Sequence, residues 1–146
     1  MARQTLVLDA SVGVKWFSAK GEAALQHALA IRDAHIARQT LIMVPDLFYY
    51  EVANAIVHKK FIPTEAVQSA VANLFALGLS AVSVDSELLA ASVKLSRQSD
   101  ITVYDACYAA LAQKYDCPLV TANPRHQGQD LGCQVIPIEE WQQELQ

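Results

Sequence analysis

The stretch LVLDAS, residues 6–11, places one carboxylate, Asp9, directly after a short apolar run. Such a run is typical of a strand buried on both faces of a parallel sheet. Three other stretches also carry one carboxylate or carboxamide in an apolar setting: YYEVANA (49–55), VYDACYAALA (103–112) and LVTANPR (119–125). Apolar neighbours indicate burial, and a buried carboxylate is costly unless it is paired, hydrogen-bonded or bound to a metal. We therefore expect Asp9, Glu51, Asp105 and Asn123 to form one site that holds a divalent cation.

Short β-rich runs alternate with longer helical patterns along the whole chain. Strands are predicted at TLVLD, LIMVP, LSAVSV, PLVTA and CQVIPI, and helices after residue 11 and over residues 22–39, 46–60, 63–78, 86–98 and 102–115. This alternation predicts a three-layer α/β/α domain with a central parallel sheet of about five strands. Because no Pro-, Gly- or Ser-rich linker divides the chain, residues 1–146 are predicted to form a single domain.

The composition limits the possible functions. Hydrophobic residues make up 53% of the 146 residues and charged residues 18%, which indicates a globular domain rather than a disordered tail. The net charge of −4 argues against a protein that holds nucleic acid with a broad basic face. A nuclease that relies on a metal ion remains possible, since the cation itself supplies local positive charge.

The three cysteines, Cys107, Cys117 and Cys133, include no CxxC pair. Their odd number favours free buried thiols in a reducing compartment, and we expect a cytoplasmic protein. The apolar run after Arg3 is too short for a signal peptide. Residues 66–84 lack charge, but their polar residues and helical apolar stripe are typical of an amphipathic helix, so no membrane span is predicted.

The predicted sheet explains how distant residues could meet. In open parallel sheets, ligands bind outside the carboxyl ends of the strands. Asp9 ends the first strand and Asn123 follows the fourth, while Glu51 and Asp105 lie in helices near the same edge. Hard oxygen ligands suit Mg²⁺ or Mn²⁺, which are usually held by one or two carboxylates and several waters. A bound ion could activate water for in-line attack on a phosphodiester.

Each acid also has a simpler explanation. Asp9 could serve only as a helix cap, and Thr102 with Asp105 resembles a capping box that uses the shorter acid. The apolar residues on either side of Asp105 are unusual for a solvent-facing cap. Glu51 is predicted in the middle of a helix, where no cap explains it, and Asn54 one turn later could orient it.

At this point the residues resemble a known family. LVLDASVGVKWF, VPDLFYYEVANAI and VYDACYAALAQKYDCPLVTAN are similar, in order and spacing, to the PIN-domain ribonucleases, especially the VapC-type toxins of toxin–antitoxin pairs. The resemblance covers nearly the whole chain. It implies a Mg²⁺- or Mn²⁺-dependent endoribonuclease, commonly a homodimer, that a small cognate antitoxin neutralises. Asp9, Glu51 and Asp105 match the first three acids of the family, and Ser11 and Thr121 match its supporting hydroxyl residues.

One position departs from the family pattern. Asn123 stands where the family usually has Asp. An amide can position a water or complete the metal shell, but it carries no charge, so we expect weaker metal binding, by either one ion or two. Three acids remain, and we still expect activity.

Neighbouring cations, aromatics and histidines are weaker signals. Lys15 and Arg125 could touch RNA phosphate, but a solvated surface charge is the commoner role. Core packing explains most of a set of five aromatic residues better than base stacking or a dimer or antitoxin groove does: Trp16, Phe17, Phe48, Tyr49 and Tyr50. Four histidines show no metal spacing and receive no catalytic role: His27, His35, His58 and His126.

Three functions remain open from the residues and from the family resemblance. The first is a metal-dependent endoribonuclease toxin with Asp9 and Asp105 as principal metal ligands, Glu51 binding through water or orienting the nucleophile, and Asn123 positioning a water. The second is a catalytically weak or inactive PIN-fold module that acts by binding RNA or antitoxin. The third, an aspartyl-phosphate phosphatase, is disfavoured because that chemistry wants a second acid two residues after Asp9, where Ser11 stands.

Overall fold

The computed structural model describes residues 3–17, 24–126 and 128–142. Its elements, in chain order, are β1 (Gln4–Leu8), α1 (Ala10–Lys15), α2 (Leu25–Ile36), β2 (Thr40–Pro45), α3 (Leu47–Val57), α4 (Thr64–Ala76), β3 (Ser80–Val82), α5 (Ser86–Ser99), α6 (Val103–Lys114), β4 (Leu119–Thr121) and β5 (Val135–Pro137). Two short 3₁₀ helices follow the last two strands, over Pro124–His126 and Ile138–Glu140.

The five strands form one parallel sheet in the order β3-β2-β1-β4-β5. The central strand β1 is buried on both faces, and its residues Leu6, Val7 and Leu8 have no exposed surface. This burial explains why its sequence is a continuous apolar run rather than an alternating one. Since β2 and β4 lie on opposite sides of β1, the segments that follow these three strands meet at one sheet edge.

Helices complete a three-layer α/β/α arrangement around this sheet. Helix α6 packs on α5 and lies against β1 and β2, while α1 and α4 pack on α3. The residues from Ala106 to Ala112 of α6 are all buried, as expected for a helix that is apolar on every side. Helix α1 approaches α3 closely at Gly13, where an added Cβ would lie 2.5 Å from the Phe48 ring.

The predicted fold class is confirmed, and the main differences concern the ends of elements. Helix α3 ends at Val57 and not at residue 60, and β3 is limited to Ser80–Val82. The predicted start of the second helix at residue 22 lies outside the described residues. No helix among the described residues is both long enough and apolar enough to cross a membrane, and the segment examined as a possible span, residues 66–84, divides between α4 and β3.

Candidate active site

Asp9 occupies the junction between β1 and α1 and is 7% exposed. It is the N-cap of α1, so the simpler capping role is present. Its Oδ2 accepts hydrogen bonds from the Ser11 backbone N–H at 3.3 Å, from Ser11 Oγ, and from Thr121 Oγ1 at 3.2 Å. All three bonds end on Oδ2, and Oδ1 receives none of them. The carboxylate is therefore oriented by hydroxyl groups from two different segments.

The hydroxyls of Ser11 and Thr121 tie the end of β4 to the start of α1. Ser11 Oγ accepts a hydrogen bond from the Ala122 N–H at 3.0 Å, and Thr121 Oγ1 accepts one from the Asn123 N–H at 3.0 Å. Each hydroxyl thus accepts a hydrogen bond from the segment after β4 and donates one to Asp9. This relay sets the position of Asp9 relative to β4, which lies beside β1 in the sheet.

Glu51 lies in α3, half-buried, and its Oε1 accepts a hydrogen bond of 2.6 Å from the hydroxyl of Tyr108. Tyr108 belongs to α6 and is only 1% exposed. This bond joins two helices that lie far apart in sequence. Asn54, the residue expected to orient Glu51, is exposed, whereas the side chain that hydrogen-bonds to Glu51 is that of Tyr108.

Asp105 lies in the first turn of α6. Its backbone N–H donates to Thr102 Oγ1 at 3.0 Å, so Thr102 caps the helix as the sequence indicates. The Asp105 carboxylate instead approaches His126, with 3.4 Å between Asp105 Oδ2 and His126 Nε2. This distance suits an ion pair, but the geometry is not that of a hydrogen bond, and the buried Nε2 has no hydrogen-bond partner among the described residues.

The three acids share one electrostatic environment. Burial raises the pKa of Asp9, and the negative charge of Asp105 raises it further, against the lowering effects of Ser11 and His126. Burial also raises the pKa of Glu51; the Tyr108 hydrogen bond lowers it, and the charges of Asp9 and Asp105 raise it. The negative charges that raise the pKa of Asp9 and Glu51 would favour a bound cation, which would relieve the repulsion.

The oxygen donors of this site suit a hard cation that keeps several waters better than a cation enclosed entirely by protein ligands. Among the described residues, no group of three or more His, Cys, Asp or Glu side chains is arranged to hold a metal ion directly. Mg²⁺ keeps several waters and is usually bound through one or two carboxylates, so direct binding by Asp9 and Asp105 with Glu51 acting through water suits these oxygen donors.

Asn123 stands at the edge of this cluster. Its Oδ1 accepts a hydrogen bond from the Arg125 backbone N–H at 3.1 Å, which stabilises the turn into the 3₁₀ helix Pro124–His126. Its amide oxygen is thus already used by the local backbone. Arg125 is exposed, as expected for a solvated surface charge.

The aromatic and histidine side chains divide between core and surface. Trp16 and Phe48 are core residues in edge-to-face contact, and Trp16 Nε1 donates to the Ala28 carbonyl at 2.8 Å. Tyr50 is 77% exposed. His35 is a structural residue, because its Nδ1 accepts from the Ile42 N–H and its Nε2 lies 3.0 Å from the Leu77 carbonyl.

Two residues of the cluster lie outside the set of site residues that the sequence predicts. Tyr108 belongs by sequence to the apolar surroundings of Asp105, although the spacing of three residues places both side chains on one face of α6. The histidines of the chain show no spacing typical of a metal site, so the sequence predicts no role for His126. Its proximity in sequence to Asn123 was the available signal.

The chain is thus an α/β protein that carries a carboxylate cluster near the carboxyl ends of an all-parallel sheet. A sequence model of the PIN domain family matches residues 6–130, and the chain belongs to that family. The family expected from the motifs is therefore confirmed.

Solved structures of similar fold include several toxin–antitoxin proteins. FitAcB from Neisseria gonorrhoeae aligns with a TM-score of 0.69 and 13% identity, covering 93% of this chain and 99% of that chain. A toxin–antitoxin complex from Klebsiella pneumoniae aligns with a TM-score of 0.65 and 20% identity over 93% and 99%. VapC20 from Mycobacterium tuberculosis, a sarcin–ricin loop cleaving toxin, aligns with a TM-score of 0.61 and 14% identity over 78% and 86%. At these identities the likeness concerns the fold. No curated protein matches the chain.

Proposed function

We propose that this chain is a Mg²⁺- or Mn²⁺-dependent endoribonuclease that hydrolyses RNA phosphodiester bonds and acts as the toxin of a toxin–antitoxin pair. The observation that carries the proposal is the convergence of Asp9, Glu51 and Asp105, from three separate segments, within one electrostatic cluster of a PIN domain. A fold that only needed helix caps would have no use for a third acid in the middle of α3.

Each residue of the site has its own role in the proposed reaction. Asp9 and Asp105 would hold the cation, and Asn123 would position a water or complete the shell. When bound, the ion polarises the phosphoryl group and lowers the pKa of a nearby water. Ser11 and Thr121 hold Asp9 through Oδ2, and Tyr108 holds Glu51, which would bind through water or orient the nucleophile. These fixed carboxylates reduce the reorganisation that the reaction requires.

Cleavage of a structured RNA by the purified protein tests the proposal. With Mg²⁺ or Mn²⁺ the wild type should cut RNA, EDTA should stop it, and Asp9→Asn and Asp105→Asn should each reduce the rate by about 100-fold or more. Asp33→Asn is the matched control, since it removes the same charge from an exposed side chain in α2. Full cleavage by both site variants would refute the assignment.

We further propose an antitoxin partner, a homodimeric state and a cytoplasmic location. Support for the partner comes from the similar folds, which include the FitAcB structure and a toxin–antitoxin complex. Free Cys107, Cys117 and Cys133 are compatible with a reducing compartment. A small adjacent reading frame whose product copurifies with this chain and stops its RNA cleavage would support the pairing, and gel filtration with light scattering would give the oligomeric state.

A second candidate is a PIN-fold binding module without catalysis. Asn123 favours it, because the position carries no charge and its amide oxygen already serves the Arg125 N–H. Titration calorimetry separates the two candidates. Tight antitoxin binding with no Mn²⁺ heat would favour the module, whereas Mn²⁺ binding that Asp105→Asn abolishes would favour the nuclease.

A further inference from the structure

The chain brings two of its three cysteines together at the edge of the sheet opposite the acids. Cys117 lies two residues before β4 and Cys133 two residues before β5. The parallel register pairs Leu119 with Val135, and the Leu119 N–H donates to the Gln134 carbonyl at 2.8 Å, which extends the pairing toward the cysteines. Continuing this register by two residues places Cys117 opposite Cys133.

Two further observations support this proximity. Both cysteines line the same open cleft, together with Gln113, Asp116 and Gly132. The negative charge of a Cys117 thiolate also contributes to raising the pKa of Cys133, after burial as the main cause, so the two sulfurs are within electrostatic range. Cys107, by contrast, is buried in α6 and is not among the residues that line this cleft.

The backbone holds both positions in place. Asp116, two residues beyond the end of α6, has a positive φ of 50°, and the Cys117 N–H donates to the Ala112 carbonyl at 3.0 Å. On the other strand, Gly132 has a φ of +72°, and a Cβ there would lie 1.6 Å from Gln113 Nε2. The Gln113 side chain, which belongs to α6, donates to the Leu131 carbonyl at 3.1 Å. This bond holds the turn before Cys133 against α6.

We propose that Cys117 and Cys133 form a reversible intrachain disulfide when the protein meets a low-molecular-weight disulfide oxidant. Neighbouring parallel strands lie about 4.8 Å apart, within the range of about 4.4 to 6.8 Å between the Cα atoms of disulfide-bonded cysteines. Side chains of directly paired residues point to the same face of the sheet. The strand register therefore directs the two cysteines toward each other, within reach of such a bond and without a change of topology.

The reaction consumes one molecule of oxidised glutathione. The Cys117 thiolate attacks one sulfur of the oxidant, which forms a Cys117–glutathione mixed disulfide and releases one glutathione thiolate. The Cys133 thiolate then attacks the Cys117 sulfur, forms the intrachain bond and releases the second glutathione thiolate. The two protons lost by the cysteines end on the two glutathione molecules, so the protein is oxidised by two electrons and the oxidant is reduced by two.

Cys117 is the better first nucleophile. Burial raises the pKa of both thiols, and that of Cys133 reaches about 11. A hydrogen bond from the Val7 backbone lowers the pKa of Cys117, whereas only raising effects act on Cys133. Because thiolates and not thiols attack disulfides, these raised values make the reaction slow at neutral pH and faster as the pH rises.

The bond would enclose the part of the site that β4 contributes. Thr121, Asn123 and His126 all lie between Cys117 and Cys133. A crosslink across such a segment restricts the unfolded chain, so the oxidised protein should melt at a higher temperature, by about 9 °C. Edge strand β5 would then be covalently joined to β4.

Mass spectrometry of the full-length native protein tests the proposal. After oxidised glutathione at alkaline pH, we expect a peptide that links Cys117 to Cys133, lost on treatment with dithiothreitol. Cys133→Ser should trap glutathione on Cys117, and Cys107→Ser, the matched control, should behave as wild type. The same treatment in urea should give a mixture of the pairings that three cysteines allow.

Two results would overturn the proposal. One is a native protein that carries glutathione or free thiols with no link between Cys117 and Cys133. The other is a linked protein whose melting temperature falls below that of the reduced protein, because the native fold would then oppose the bond.

Discussion

The hydroxyl of Tyr108 donates a 2.6 Å hydrogen bond to Glu51 and so connects the buried helix α6 to the acid of α3. Tyr108 is three residues after Asp105 on the same helix. The position of Glu51 therefore depends on the Tyr108 side chain, which lies one helical turn from Asp105. Mutation of this tyrosine should affect the site without removing any carboxylate.

For Tyr108→Phe we expect a loss of about 1 to 2 kcal/mol in the free energy of unfolding, because a buried hydrogen bond to a charged group is lost. We expect RNA cleavage to fall by about 10-fold, as for other partners that orient metal-site ligands. The pKa of Glu51 should rise, since Tyr108 lowers it. Urea unfolding, cleavage rates and carboxyl NMR titration measure these effects.

Tyr104→Phe is the matched control for this change. Tyr104 lies on the same helix but is 62% exposed. Equal effects of the two substitutions would mean that the hydrogen bond to Glu51 has no special role.

Without metal, the burial of the carboxylates and, to a smaller extent, their mutual repulsion should make the fold less stable as the pH rises. The pKa of Asp9 is raised above its unfolded value of 3.8, so between these two values the native state binds more protons than the unfolded state. Stability then falls as the pH increases through this interval, and the full penalty remains above it. Glu51 acts in the same direction from 4.5 upward.

Asp105→Asn should therefore raise the melting temperature in EDTA at neutral pH, by about 3 °C for a gain near 1 kcal/mol. It removes a charge that raises the pKa of both Asp9 and Glu51. The variant should also show a shallower decrease of stability with pH and should lose the stabilisation that Mg²⁺ gives the wild type. A variant that melts markedly below the wild type in EDTA would contradict the repulsion.

Ser11→Ala should disconnect Asp9 from the segment after β4. The Ser11 hydroxyl donates to Asp9 Oδ2 and accepts from the Ala122 N–H, and alanine can do neither. We expect about 10- to 100-fold weaker Mn²⁺ binding by calorimetry and slower RNA cleavage. Ser69→Ala, at an exposed position of α4, should leave both measurements unchanged.

Asn123→Asp should increase Mn²⁺ affinity, because it adds a fourth negative charge beside the cluster while its Oδ1 can still accept from the Arg125 N–H. Calorimetry should show tighter Mn²⁺ binding. The measured stoichiometry also tells whether a second ion binds. Asn73→Asp adds the same charge at an exposed position of α4 and serves as the control. Equal gains from both variants would indicate a general charge effect.

The fold could be predicted from the sequence because its signals are local. Each of β1, β2 and β4 is a short apolar run, and the buried state of Leu6, Val7 and Leu8 requires the continuous pattern that the sequence displays. The ends of the helices and strands were harder to predict from the sequence. Residues 58–60 continue the helical pattern of α3, but the helix stops at Val57.

The partners within the site could not be predicted, since they depend on tertiary packing. Tyr108 looks like a core residue, and 1% exposure shows that it is one, yet its single polar atom reaches Glu51. His126 approaches Asp105 only because the 3₁₀ helix after β4 turns back toward α6. Cys117 and Cys133 have no motif spacing and become neighbours through the strand register alone.

The hydrogen bond between Asp9 and Thr121 spans 112 residues of sequence. During synthesis the Thr121 hydroxyl leaves the ribosome 112 residues after the carboxylate that it holds. The proposed RNA-cutting site therefore cannot be assembled on a chain that stops before Thr121. A nascent chain would acquire the proposed activity only once the segment after β4 has been made.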